Sequence, residues 1–262
     1  MTTKAEYDYF AAAHKQVRAL RRMLRAHSFN AAEFARVALR WEPDAKQAAV
    51  LRSGARRVIL NCSRQWGKTT VAAAKLVFVA LTRPKSVSIT VSENISQTAE
   101  VFQKIDQFLG GLGIGVKSEQ GKKLARVIAM NGSRIVGLAA REQAVRGYTA
   151  DFVFLDEAAR IPDDVIDALL PVIAVRNGDW WMASTPNGRR GRFYEMWEYA
   201  EGADVLKIAA PGSENPRLPA GFVERARKER GEAYVRQEFE CEFVENGTFL
   251  LDRPQVDAVY VP

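Results

Sequence analysis

Histidine and cysteine are scarce. His14 and His27 are the only histidines in 262 residues, so a Ser-His-Asp triad or a histidine-based metal centre has almost nothing to be built from. Cys62 and Cys241 are the only cysteines, too few for a disulfide framework or a cysteine zinc site. Long apolar runs are missing too. The longest, such as Val71 to Leu81, contain Lys75 and are too short to span a bilayer. The opening stretch MTTKAEYDYF has no apolar core of the kind that marks a secretory signal. A soluble cytosolic protein without membrane association is therefore expected. No internal repeat or low-complexity tract interrupts the chain.

What remains is an ordinary globular composition, 47% hydrophobic and 26% charged. The length allows one domain with additions or two small ones. The formal net charge of +7 favours a polyanionic partner, nucleic acid being the commonest, against the plainer reading of a basic, soluble protein.

Lys4 to about Ala38 is rich in Ala, Arg and Leu and reads as helical. Arg18, Arg21, Arg22 and Arg25 share one face of it, beside an apolar stripe of Val17, Leu20 and Leu24. A solvated basic side is the plainer reading of that face, and a DNA-facing or subunit-facing helix the other. From Arg57 onward, apolar runs alternate with helical patterns. Strands are expected at Arg57–Asn61, Val87–Val91, Asp151–Leu155, Trp180–Ser184 and Val205–Ala209. Helices are expected at Lys68–Leu81, about Ile95–Leu109, Asp163–Ile173, Gly191–Tyr199 and most of Ala220–Glu240. GGLGIG at Gly110–Gly115 reads as a turn, and Arg126–Met130 with Arg134–Ala139 as a hairpin closed by Asn131-Gly132. Strands joined by crossover helices imply an α/β fold with a mostly parallel central sheet, which binds ligands at the carboxyl ends of its strands.

One such end carries Cys62-Ser63-Arg64-Gln65-Trp66-Gly67-Lys68-Thr69-Thr70, close to the phosphate-loop pattern G-x-x-x-x-G-K-[ST] but with Cys62 in place of the first glycine. A phosphate loop needs a glycine that lets the backbone approach, amides pointing inward at a helix N-terminus, and a lysine and a hydroxyl for the terminal phosphates and Mg2+. Gly67, Lys68 and Thr69 supply them. Cys62 stands at the entrance, where it should alter loop shape more than phosphate chemistry. A partner acid is expected at the end of a buried strand, and DFVFLDE provides Asp156 to hold Mg2+ and Glu157 to polarise water. Ser184-Thr185-Pro186-Asn187-Gly188 ends another buried strand. By itself it reads as a turn; as the third element in this order it reads as a sensor of the γ-phosphate.

Together, SRQWGKTT, VFLDEAA and STPNG resemble the ATPase domain of the tailed-phage terminase large subunit over about Trp41 to Phe243. That resemblance implies a P-loop ATPase of the additional-strand, conserved-glutamate type, with helical N- and C-terminal subregions, which uses ATP and Mg2+ to drive double-stranded DNA into a procapsid. It assigns ATP contacts to Ser63, Arg64, Gln65, Trp66, Gly67, Lys68, Thr69 and Thr70, with Mg2+ at Thr69 and Asp156. Glu157 becomes the catalytic glutamate, Arg64 the loop arginine at the γ-phosphate, and Ser184, Thr185 and Asn187 the coupling motif. Trp41 to Gln47 resembles the adenine-recognition segment, with Lys46 where tryptophan is usual, so Gln47 alone is carried over. Arg141 and Arg146 lie where an arginine acting in trans is placed, Arg141 being preferred; either could be a structural ion-pair partner. Partners implied are the portal and procapsid, the small terminase subunit and further copies of the chain in a pentameric ring, with a monomer in isolation, all in the host cytoplasm.

The expected division is residues 1–40, a basic helical region; 41–210, the ATPase core; and 211–262, a helical lid or linker. The nuclease that usually follows is not expected here, since Asp252 and Asp257 form no metal-binding cluster on a strand. Candidate DNA contacts are Arg189, Arg190 and Arg192 after the coupling motif. Lys122, Lys123 and Arg126, and Arg225, Arg227, Lys228 and Arg230, are the other basic clusters. Two alternatives stand beside the motor: a helicase-like, nucleic-acid-dependent ATPase, and a nucleotide-dependent scaffold that does not hydrolyse.

Overall fold

The computed structural model describes residue 22 and residues 30–119, 124–128, 131–141 and 145–245. Arg18, Arg21, Arg25, Lys122, Lys123, Asp252 and Asp257 lie outside the described residues.

An eight-stranded sheet organises the molecule, in the order β3-β4-β5-β2-β6-β7-β1-β8. Its strands are β1 (Arg57–Cys62), β2 (Val87–Ser92), β3 (Val116–Glu119), β4 (Leu124–Ile128), β5 (Ser133–Ala139), β6 (Phe152–Asp156), β7 (Asp179–Ser184) and β8 (Val205–Ala210). β5, β2, β6, β7, β1 and β8 run parallel, while β4 is antiparallel to both β3 and β5. The parallel strands are apolar along most of their length because helices cover both faces. In β6 all of Phe152, Val153, Phe154, Leu155 and Asp156 are buried. One face packs against α3 (Lys68–Thr82) and α4 (Ile95–Gly111), with Phe152, Phe154 and Trp181 beneath them; the other packs against α5 (Asp163–Ala174) and α6 (Gly191–Tyr199), with Val153, Leu155 and Met182.

Two helices precede the sheet, α1 (Ala31–Val37) and α2 (Ala45–Arg52), and two follow it, α7 (Phe222–Arg230) and α8 (Glu232–Glu238). Most of the helix expected from Lys4 to about Ala38 lies outside the described residues, and its last part starts afresh at Asn30. Its extended backbone and side chain cap a new helix, accepting from the amides of Ala32 and Glu33, while Glu33 accepts from the Asn30 amide. Phe34 of α1 packs on Phe78 of α3, so this helix shares the main core. The late helical stretch is divided by Gly231, whose φ of 86° no helix residue can adopt. The expected turn at Gly110 begins later, since α4 continues through Gly111.

β7 stands between β1, which feeds the loop, and β6, which carries the acids. This is the additional strand that the fold class requires. It sets the loop, the Ser184-Thr185 end and the Asp156-Glu157 end side by side on one edge.

Candidate functional site

The loop leaves β1 at Cys62, a fully buried residue paired with Ala210 of β8. Two residues take positive φ, Gln65 at 61° and Gly67 at 90°. The second is the N-cap of α3 and has no side chain to cap it. The first amides of a 15-residue helix thus face outward without a side-chain acceptor, the arrangement that suits a phosphate. The Trp66 side chain is buried in the core, so the loop offers its backbone there. The Trp66 carbonyl accepts from Gln47 Nε2 at 2.8 Å and from an Arg217 η nitrogen at 2.5 Å. Asp44 completes this brace: its side chain caps α2 at the Gln47 amide and accepts from Arg217 at 3.0 Å. Gln47 is buried with its amide used at both ends, since Oε1 accepts from the Asp44 amide. Beside Thr70 a cavity of about 530 Å³ is lined by Arg40, Trp41, Lys104 and Phe108, the two rings 6.4 Å apart.

Lys68 Nζ meets Glu157 Oε1 at 2.5 Å. Burial works against both charges, but the pairing overrides it: the Lys68 ammonium is held above its ordinary pKa by Glu157 and Asp156, and the Glu157 carboxyl below its own by Lys68 and Arg160. Glu157 takes a left-handed backbone, φ 53° and ψ 46°, a strained conformation for a side-chain-bearing residue. Its Oε2 accepts from Ser184 Oγ at 3.2 Å and from Arg160 at 3.1 Å. Asp156 behaves differently. Burial raises its carboxyl pKa to about 6 in spite of Lys68, and its Oδ1 has no hydrogen-bond partner. An unpartnered buried carboxylate oxygen on the loop's edge of the sheet suits a hard cation that arrives with a phosphate and shares a hydroxyl such as that of Thr69. No group of three or more His, Cys, Asp or Glu among the described residues could hold a metal, so the phosphates would have to complete the shell.

The pairs extend into a chain. Arg160 donates to Thr185 Oγ1 at 3.3 Å and reaches Glu238 Oε1 at 3.7 Å, and Glu238 Oε2 accepts from Arg64 Nε at 2.6 Å. Asn187 donates to the Ala159 carbonyl at 3.2 Å. The structure therefore brings together Arg64, Lys68, Asp156, Glu157, Ser184, Thr185 and Asn187.

It keeps other candidates apart. Arg141 follows the end of β5, on the same edge but with β2, β6 and β7 between it and β1. Arg146 is exposed and lines a separate cavity with Asp164 and Asp167. Arg192 is forked onto Asp167 at 2.8 and 2.9 Å and also meets Glu195. Arg189 donates to the Phe243 carbonyl at 3.1 Å, while Arg190 stands exposed at the start of α6. Arg126 does not belong with surface cations. It is 6% exposed, forked onto Asp106 and stacked over Phe102. Arg227 is engaged by Glu224, Glu232 and Glu240, leaving Arg225 and Lys228 as the open cations of α7.

Arg160, Arg217, Asp44 and Glu238 were not anticipated. Arg160 had a signal, lying three residues beyond Glu157 in DEAAR. Glu238 had none, its partner Arg64 being 174 residues away.

Residues 59–256 match the family model described as terminase large subunit, T4likevirus-type, N-terminal. The terminase large subunit of Escherichia phage T5 is 30% identical over 215 residues, 77% of this chain and 48% of that protein. That of Thermus phage G20c is 30% identical over 178 residues, 61% of this chain and 36% of that protein. The chain thus spans less than half the length of these relatives. Among solved structures, the Thermus phage P74-26 large terminase ATPase domain superposes with a TM-score of 0.71 at 25% identity, covering 82% of this chain and all of that one. The HK97 large terminase, at 16% identity and a TM-score of 0.65 over 80% of this chain and 52% of its own, shares the fold.

Proposed function

The chain belongs to the terminase large-subunit family, in its N-terminal domain, and on that premise we propose that it binds and hydrolyses ATP to drive double-stranded DNA into a procapsid. One observation carries the reading: the Lys68–Glu157 pair, with Asp156 beside it and Ser184 on the same carboxylate, at the joint edge of β1, β7 and β6.

Lys68 and the first amides of α3 take the β- and γ-phosphates, so nucleotide entry draws Lys68 away from Glu157. The freed carboxylate orients the attacking water, while Ser184 and Arg160 hold its other oxygen. Thr69 and Asp156 would hold Mg2+, which would supply positive charge to the phosphates. Thr70 lies at the boundary between phosphates and base, and the cavity beside Trp41 takes the base. Arg64 reaches the γ-phosphate, and Ser184, Thr185 and Asn187 transmit its loss. Arg141 or Arg146 of a neighbouring copy completes the site, in a pentameric ring on the portal, with the small terminase subunit as a further partner. Residues 41–210 form the ATPase core in this reading, flanked by the regions 1–40 and 211–262. Arg189 and Arg190 are the DNA contacts, and Arg192 positions their helix through Asp167. No helix among the described residues is long and apolar enough to cross a membrane, in keeping with work in the host cytoplasm.

The test is Lys68→Ala, in the isolated chain and in rings assembled on portal. Nucleotide binding should be lost, and phosphate release should fall to background. Unchanged hydrolysis would overturn the assignment. Strand separation by the wild-type chain would instead favour the helicase-like alternative.

A further inference from the structure

The segment that ends α8 is bound to the loop by more than packing. The Arg64 amide donates to the Glu238 carbonyl at 2.9 Å, and Arg64 Nε donates to the Glu238 carboxylate at 2.6 Å. Asn61 Nδ2 donates to the Cys241 carbonyl at 2.7 Å, and the Phe239 carbonyl accepts from the Gly212 amide. Residues 238–241 thus run across the exit of β1, where the loop begins. Glu238 is 4% exposed, yet Arg64, its nearest cation, has a half-exposed side chain. Both η nitrogens of Arg64 are without a protein partner among the described residues. The other cation at Glu238 is Arg160, which also holds the oxygen of Glu157 that Ser184 holds.

A buried carboxylate is costly unless it is paired. A simple tether of the C-terminal helices would need one cation, at any place on the surface. Here the carboxylate stands between the arginine of the phosphate loop and the arginine of the acidic turn.

We propose that Glu238 is a positioning residue of the nucleotide site, gripping Arg64 by its amide and its Nε so that the two η nitrogens remain available to a γ-phosphate, and setting Arg160 against Glu157. The inference rests on the nucleotide site proposed above. It names the chemistry that Glu238 governs: discrimination of a triphosphate from a diphosphate. Only the triphosphate has a terminal group for the η nitrogens, so loss of the grip weakens one ligand and spares the other.

The experiment compares ATPγS and ADP binding to the whole chain by fluorescence titration or calorimetry. In Glu238→Ala, ATPγS affinity is expected to fall about tenfold, the order of one charge-assisted hydrogen bond to phosphate, while ADP affinity stays within about twofold. Glu238→Gln keeps an acceptor for Arg64 Nε and should recover ATPγS affinity to within about threefold of wild type. Should Glu238→Ala fail to fold, Glu238→Asp, one methylene short of Arg64, should show the same discrimination. Equal losses for both ligands, no loss for either, or a glutamine variant as weak as the alanine one would each overturn the role. The nucleotide site itself is checked separately by Lys68→Ala, which should lose both ligands; if it bound them normally, the site assignment would fail and not merely the role of Glu238.

Discussion

Replacing Asp156 by asparagine should make the ligand-free protein more stable, although it removes a group that the proposed nucleotide site would use. Burial lifts the Asp156 pKa from an ordinary 3.8 to about 6. At about 1.4 kcal/mol per pKa unit, carrying that charge in the fold costs about 3 kcal/mol at neutral pH. The sign follows from the order of the two pKa values. Below 3.8 the carboxyl is protonated folded and unfolded, and nothing is lost. Between 3.8 and about 6 the unfolded chain ionises first, so stability falls as pH rises. Above that range the full cost is present. Asparagine has nearly the same shape and no charge, and Lys68 keeps Glu157 as its partner. Urea denaturation of the two proteins should therefore differ by about 3 kcal/mol at pH 8, and by roughly half of that at pH 5. A variant no more stable than wild type at pH 8, or a gain that is the same at both pH values, would refute the reasoning.

Gly137 on β5 lies under α4, where an added Cβ would meet Thr98 and come within 2.5 Å of the Phe102 ring. Gly137→Ala should cost about 2 kcal/mol or more in the same denaturation assay. Lys75 is buried over the Trp181 ring, with burial lowering its pKa. That penalty sets in as pH falls below the ordinary lysine value and is full below the lowered one, so Lys75→Met should raise stability at neutral pH; a loss would show that the ammonium is better accommodated than its burial implies. Trp41→Ala should weaken ATP about tenfold while leaving inorganic tripolyphosphate binding within about twofold, as expected for loss of stacking on a base. Equal loss for both would move the base elsewhere.

The central strands and their helices were legible because their signals are local. VILN, VSITV, FVFL and WWMAS are runs that only burial on two faces explains, and α6 spans the same residues, Gly191 to Tyr199, that its pattern marks. The three loops that end β1, β6 and β7 could be read as one site, since topology places such ends together. β3 was missed because its sequence, VKSE, carries a single apolar residue and lies at the edge of the sheet. α2 overlaps the stretch Trp41 to Gln47 that resembles a base-recognition segment, though Asp44 and Gln47 form a capping box. Arg126 reads as surface charge because Lys122 and Lys123 lie close before it; what neutralises it is Asp106, 20 residues earlier on α4. The grip of Glu238 on Arg64 has no local trace, since neither residue needs the other to form its own element.

The pairing of Lys68 with Glu157 also bears on what the loop would admit as the nucleotide site proposed above. Arg64, Lys68 and Arg160 face Asp156, Glu157 and Glu238, three basic side chains against three acidic ones, with Lys68 and Arg160 paired to Glu157 and Arg64 and Arg160 to Glu238. A bare anion that drew Lys68 away would strand Glu157 as a largely buried carboxylate with Arg160 alone to balance it. A ligand carrying charge of both signs can exchange partners with the lysine and the acids together, leaving neither exposed to that penalty. On the nucleotide-site reading, admission is then by substitution rather than attraction, and inorganic phosphate alone should compete poorly with ATP for the loop.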